Sequence, residues 1–187
     1  MLNISDRLKE LKRKVQSDDL QKGRGLGGEV NYYIFDYDPA DEYEVMDYIG
    51  KLASDNDQIV IINIHDVITD ILKSKNYLDK VYDLESKKST QHAATAIMRA
   101  LSVENKDGLL RQEIRNRIPE GKTIFLTGIG ESYRIIRAHT LLANLQVTVT
   151  ENPVILFYPG KYDGQSLKLF GKFPATNYYR ADKLVER

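Results

Sequence analysis

The chain has no cysteine, which removes disulfides, thiolate nucleophiles and cysteine-ligated zinc together. It also lacks any excess of one charge: 27 Lys and Arg stand against 27 Asp and Glu, so no global field draws it to nucleic acid or anionic lipid. No apolar run approaches the length of a membrane span. Residues Ser5 to Lys14 are charged and helix-forming rather than an apolar leader, so a cytoplasmic location, with no membrane partner, is expected. What remains is the balance of an ordinary globular protein, 42% hydrophobic and 29% charged. At 187 residues the length suits one core, and residues 1–187 are expected to form a single domain.

Apolar residues at Leu2, Ile4, Leu8, Leu11 and Val15 recur at helical spacing, with Ser5 and Asp6 as candidate caps. A glycine-rich loop from Gly23 to Gly28 leads into a strand, Val30 to Phe35, and Ala40 to Ser54 suits a helix. The nearly unbroken β-branched run Ile59 to Ile64 predicts a strand buried on both faces at the centre of a sheet. A long helical region follows His65 and Asp66, with breaks near Ser89-Thr90 and Asp107-Gly108. Thr123 to Leu126 predicts a strand, Tyr133 to Leu145 a helix, and Val154 to Phe157 a further strand ended by a sharp turn at Tyr158-Pro159-Gly160. Leu167 to Phe170 suits an edge strand or hairpin partner. This order predicts a three-layer α/β fold: a mainly parallel central sheet with helices on both faces, Rossmann-like or P-loop-like without a Walker A motif.

In such sheets ligands lie at the carboxyl ends of the strands. Asp36, Asp38, His65, Asp66, Gly128, Gly130, Glu131, Lys161 and Asp163 all fall there. The carboxylates and the histidine could hold a divalent metal for phosphoryl chemistry, and a convergence of Asp36, Asp38, His65, Glu131 and Asp163 is what that reading requires. The competing reading is that Asp favours strand ends because it forms turns and caps helices, a role that suits Asp66. The second reading is preferred, so no metal, cofactor or catalytic residue is expected. Gly121-Lys122-Thr123 mimics the end of a P-loop, but Asn116 stands where the first glycine belongs, and the tripeptide enters a strand. The turn Thr127-Gly128-Ile129-Gly130-Glu131-Ser132 sits between strand and helix and could offer an anion its backbone N–H groups, with Gly128, Gly130 and Ser132 as the candidate site. It has no lysine to meet a phosphate. His92 and His139 lack a second ligand at helical spacing, and Ser132 lacks the small flanking residues of a hydrolase elbow. The basic clusters Lys9, Lys12, Arg13, Lys14 and Arg111, Arg115, Arg117 are diluted by acidic neighbours, which makes direct DNA binding unlikely as a function.

The segment Pro153 to Phe170 (PVILFYPGKYDGQSLKLF), followed by Asn177-Tyr178-Tyr179-Arg180-Ala181, resembles the closing signature of the BREX B protein family. Arg137, His139, Leu141 and Leu142 resemble the family pattern on the preceding helix. The resemblance is close from the third strand onward, whereas the first half agrees in element order alone. It implies a phage-defence component encoded with a large ATPase, a DNA methyltransferase and a PglZ-type phosphatase-like protein. The function expected is that of a non-enzymatic adaptor that binds first the PglZ-type protein and then the ATPase. Tyr158, Pro159, Lys161, Tyr162, Asp163, Gln165, Tyr178, Tyr179 and Arg180 form the expected partner surface, since interface centres favour aromatics and arginine. Core filling is the competing role for each tyrosine.

Overall fold

A computed structural model describes residues 3–21, 31–105, 107–174 and 181–187. The elements run α1 (Ile4–Val15), α2 (Asp18–Gln21), β1 (Tyr32–Tyr37), α3 (Glu42–Ser54), β2 (Ile59–Asn63), α4 (Ile64–Ser74), α5 (Leu78–Lys87), α6 (Thr90–Ala100), α7 (Leu109–Asn116), β3 (Thr123–Thr127), α8 (Ala138–Leu145), β4 (Val154–Tyr162), β5 (Leu167–Leu169), β6 (Phe173–Pro174) and β7 (Asp182–Lys183). Strands β2-β3-β4-β1-β7 lie in that order and are all parallel, and the short β5 and β6 extend β4 as antiparallel neighbours. The fold is the expected three-layer α/β arrangement. Among the described residues no helix is long and apolar enough to cross a membrane.

The pleat sends alternate residues into two cores. Tyr32, Ile34, Ile62, Ile124, Leu126, Val154 and Leu156 face a core shared with α4, α6, α7 and α8, while Tyr33, Phe35, Ile59, Phe125, Ile155 and Phe157 face one shared with α1 and α3. Polar residues set the helix starts. Asn3 caps α1 by accepting from Asp6 N at 2.8 Å, so Ser5 and Asp6 lie inside the helix and not at its cap. Asn63 caps α4 by accepting from His65 N and Asp66 N, the role the sequence suggested for Asp66. The helix simply begins sooner, at Ile64, and its first free N–H groups reach back to the last residue of the strand.

Three further expectations are corrected. β2 is an edge of the parallel array, not its centre. An aliphatic run reports helices on both faces, and α3 and α4 bury Ile59 and Ile62 without a second neighbouring strand while Ile61 stays exposed. The helix predicted from Tyr133 begins only at Ala138, because Ile135 and Ile136 both donate backbone N–H groups to the Ser132 carbonyl, at 2.8 Å, closing turns in place of the first helical turns. Nor does β4 stop at Phe157: Asp36 pairs with Tyr158 and Tyr37 with Pro159, and the strand then turns its pairing to β5 at Gly160. Val154 N donates to Asn31 on the β1 side, so Pro159, of opposite parity, would aim its missing N–H toward β3, which has already ended. A proline there costs no ladder bond.

Candidate functional site

β1 is followed by α3 on one face of the sheet, whereas the helices after β2 and β3 lie on the other. At the carboxyl ends of the adjacent strands β1 and β4 the chain parts in two directions, β1 running toward α3 and β4 into the antiparallel β5, and open α/β sheets form their ligand crevice where connections part. Here the chain fills it with its own side chains. Asp36, 1% exposed, accepts from Arg7 Nη2 at 3.1 Å, Arg187 Nε at 3.0 Å and Tyr162 N at 3.0 Å. Arg7 also donates to the carbonyls of Glu186 and Val185 and lies over the Phe35 ring. Burial pulls its guanidinium below the ordinary arginine range while Asp36 opposes that pull. Arg187 donates to the Gly160 carbonyl as well.

The other rim residues are also engaged. Asp38 accepts from Ala40 N at 3.0 Å and caps the 3-10 turn Pro39–Asp41. Asp163 accepts from Gln165 N, Ser166 N and Ser166 Oγ at 2.6–2.9 Å, and these donors hold its carboxyl down to about 2. His65 and Glu131 are exposed. Among the described residues no three His, Asp or Glu side chains stand together where they could hold a metal. The convergence required for phosphoryl transfer is not formed: Asp36 is committed to arginines, Asp38 and Asp163 cap turns, and His65 and Glu131 stand exposed.

The glycine turn is closely packed on its Cα side. Gly128 has φ +78°, and a Cβ there would stand 2.1 Å from Asn63 Oδ1. A Cβ at Gly130 would stand 3.0 Å from the Phe170 ring and 3.2 Å from Pro159 Cγ. Ser132 is fully buried, with its Oγ unpartnered. No helix opens directly after the turn, so the N–H array expected at Gly128, Gly130 and Ser132 has no helix N-terminus behind it.

The expected partner surface divides. Tyr158 and Tyr162 are 3% and 2% exposed and Pro159 is buried, so these three are core. Tyr162 shows why: its hydroxyl reaches the Ala181 carbonyl at 2.6 Å and the Gly164 carbonyl at 3.0 Å, tying the hairpin to the segment that enters β7. Lys161, Asp163 and Gln165 are exposed. Tyr178, Tyr179 and Arg180, like the Gly23 to Gly28 loop, lie outside the described residues.

The structure gathers a different aromatic surface beside them. Phe173 is 45% and Phe170 37% exposed. The Phe173 ring packs on Tyr133 with centroids 5.2 Å apart, and the exposed Arg137 guanidinium lies 4.1 Å from the Tyr133 centroid. Phe170 takes φ +51° with Gly171 at +67°, an uncommon conformation for a bulky residue, and the turn lays its ring over Gly130. Sequence reasoning placed Tyr133 on a helix, and its expected surface, Tyr158 to Gln165 and Tyr178 to Arg180, passed over Phe173.

His139, half-buried near this surface, keeps Nδ1 buried and unpartnered. Burial first, and the Arg137 charge second, lower its pKa. A depressed folded pKa means the neutral ring is favoured on folding, so its contribution is complete above the unfolded value near 6.5 and is lost as pH falls below it. Stability is therefore expected to decline between pH 7.5 and 5, and His139→Gln to flatten that slope, as urea unfolding at both pH values would measure.

The protein is a parallel α/β protein whose strand-end carboxylate Asp36 is committed to internal arginines and which carries a partly exposed aromatic surface at Tyr133, Phe170 and Phe173. Comparison with known proteins gives its family. The profile described as BREX protein BrxB matches residues 60–184. A BREX protein BrxB of Bacillus cereus (strain H3081.97) is 38% identical over the full length of both chains. One from Escherichia coli O9:H4 (strain HS) is 26% identical over 96% of this chain and 90% of the relative. No solved structure matches. The chain belongs to the BrxB family and is a component of a BREX phage-defence system.

Proposed function

We propose that the protein is a non-enzymatic adaptor that docks the PglZ-type phosphatase-like protein of its BREX system on the surface made by Tyr133, Arg137, Phe170 and Phe173, and through it helps assemble the defence complex with the large ATPase. The observation that carries this reading is the exposed Arg137–Tyr133–Phe173 stack. Stacked aromatics beside an arginine are the composition of interface hot spots. Lys161 and Gln165, exposed on the neighbouring β4–β5 hairpin, supply polar groups of the kind found at a rim. The segment from β4 through β5 coincides with the family signature, and Phe170 holds an uncommon backbone conformation that keeps its ring at the surface.

Co-expression with the phosphatase-like protein followed by size-exclusion chromatography tests it. The wild type is expected to share a peak with its partner. An Arg137→Ala, Phe173→Ala double variant that keeps its circular dichroism spectrum is expected to elute alone, with binding weakened by about 30-fold or more. A wild-type chain that elutes alone, or a double variant that binds as tightly as the wild type, defeats the reading.

A further inference from the structure

Beyond the adaptor surface, we propose that β2 is a second docking site, which takes an extended segment of another protein as an added strand. β2 pairs with β3 alone among the described residues. Thr123 N donates to the Gln58 carbonyl, which fixes the parity of the ladder: Gln58, Val60 and Ile62 address β3, while the Ile59 C=O, both backbone groups of Ile61 and the Asn63 N–H turn outward, the Ile59 N–H being taken by the Asn56 carbonyl at 3.1 Å. The Ile61 N–H and C=O stand in the middle of that row, and the Ile61 side chain is 36% exposed.

Protected edges carry charge, proline or few residues. The opposite edge follows this rule, since β7 is two residues long, Asp182 and Lys183. β2 does not: it presents Ile59-Val60-Ile61-Ile62-Asn63 with no charged residue and no proline. An unpaired backbone row admits only a chain in extended conformation, because each outward N–H and C=O needs a partner at strand spacing. The flanks define the occupant further. Asp55 and Asp57 are exposed before the strand and Asp66 after it, and none of the three is in an ion pair among the described residues. The occupant is a segment with β-branched residues at alternate positions and lysine or arginine at both ends. A second copy of this strand would set Asp55 and Asp57 against the acidic end of its partner, which disfavours self-pairing.

A short peptide of alternating valine and threonine with lysines at both ends is the probe, and amide hydrogen exchange of the whole chain is the readout. The peptide is expected to slow exchange at Ile61 and Asn63 by about tenfold or more at saturation, and the same peptide with glutamates at its ends to protect far less. Ile61→Pro removes the outward donor and leaves every β2–β3 bond in place. Ile61→Lys keeps the backbone and adds an edge charge that repels the basic flanks, so it decides the matter if the proline variant does not fold. Ile61→Lys is expected to lose the protection at both positions, and Ile61→Pro, which has no amide at 61, to lose it at Asn63. Equal protection in Ile61→Lys, no protection by the lysine-flanked peptide, or concentration-dependent dimers that protect Ile61 without peptide would each overturn the proposal. None of these outcomes bears on the Phe173 surface.

Discussion

Asp36→Ala is expected to lower stability by about 3–5 kcal/mol, the cost of leaving a buried partner charge uncompensated. The substitution removes one side chain and strands three donors. Arg7, 3% exposed, cannot turn to water, and the carbonyls of Val185 and Glu186 that it also meets carry no charge to balance it. The Tyr162 N–H loses its acceptor inside the sheet. Arg187 is more forgiving: its side chain is 28% exposed and can swing into solvent. Asp36→Asn keeps an acceptor for Tyr162 and should cost less than alanine. The Arg7→Met, Asp36→Leu double variant is expected to recover most of the loss, because removing both members of a buried pair also removes their desolvation penalty. Urea unfolding of the four proteins checks this. A loss below about 1 kcal/mol for Asp36→Ala would place it among ordinary surface substitutions and deny the crevice its closing role.

That network also shows where sequence reasoning stopped. The order of elements was legible, because strand and helix differ in hydrophobic period and each connection was long enough to carry a crossover. The hairpin after Asp163 was legible too, from Asp163-Gly164 and the alternation of Leu167 and Leu169. Asp36 was visible as a carboxylate near a strand end, but its partners stand 29 and 151 residues away, and no local pattern reports such a separation. Chain order likewise cannot tell an edge from a centre. β2 follows β1 in sequence yet lies three places from it in the sheet. The tyrosines of the signature were ambiguous for a chemical reason: tyrosine fills cores and interfaces equally well, and the choice rested on whether a buried acceptor was available for the hydroxyl. For Tyr162 the Ala181 carbonyl supplies one. Phe170 and Phe173 had no such requirement and were left outside by the turn at Gly171.

Gly128→Ala carries the second large effect, expected at about 2–3 kcal/mol from two separate causes. The residue holds φ +78°, where an L side chain costs about 1–2 kcal/mol. The new Cβ would also stand 2.1 Å from Asn63 Oδ1, so the carboxamide must leave His65 N and Asp66 N, to which it is bound at 2.9 and 3.3 Å. Losing that cap costs about 1 kcal/mol more. The two causes are separable by a double-mutant cycle. Asn63→Ala alone pays for the cap, and Gly128→Ala added to it pays only for the backbone, so the double variant should be less destabilised than the sum of the singles. Strict additivity would mean that the glycine is needed for its conformation alone. Gly130→Ala provides the contrast. Its backbone is not in the left-handed region, and its Cβ would stand 3.0 Å from the tip of the partly exposed Phe170 ring and 3.2 Å from Pro159 Cγ, contacts that a shift of the ring and a few tenths of an ångström at the proline relieve. Its stability is expected to stay within about 1 kcal/mol of the wild type, while the displaced ring weakens partner binding. The two glycines thus do different work: one permits the helix cap, and the other seats the aromatic surface.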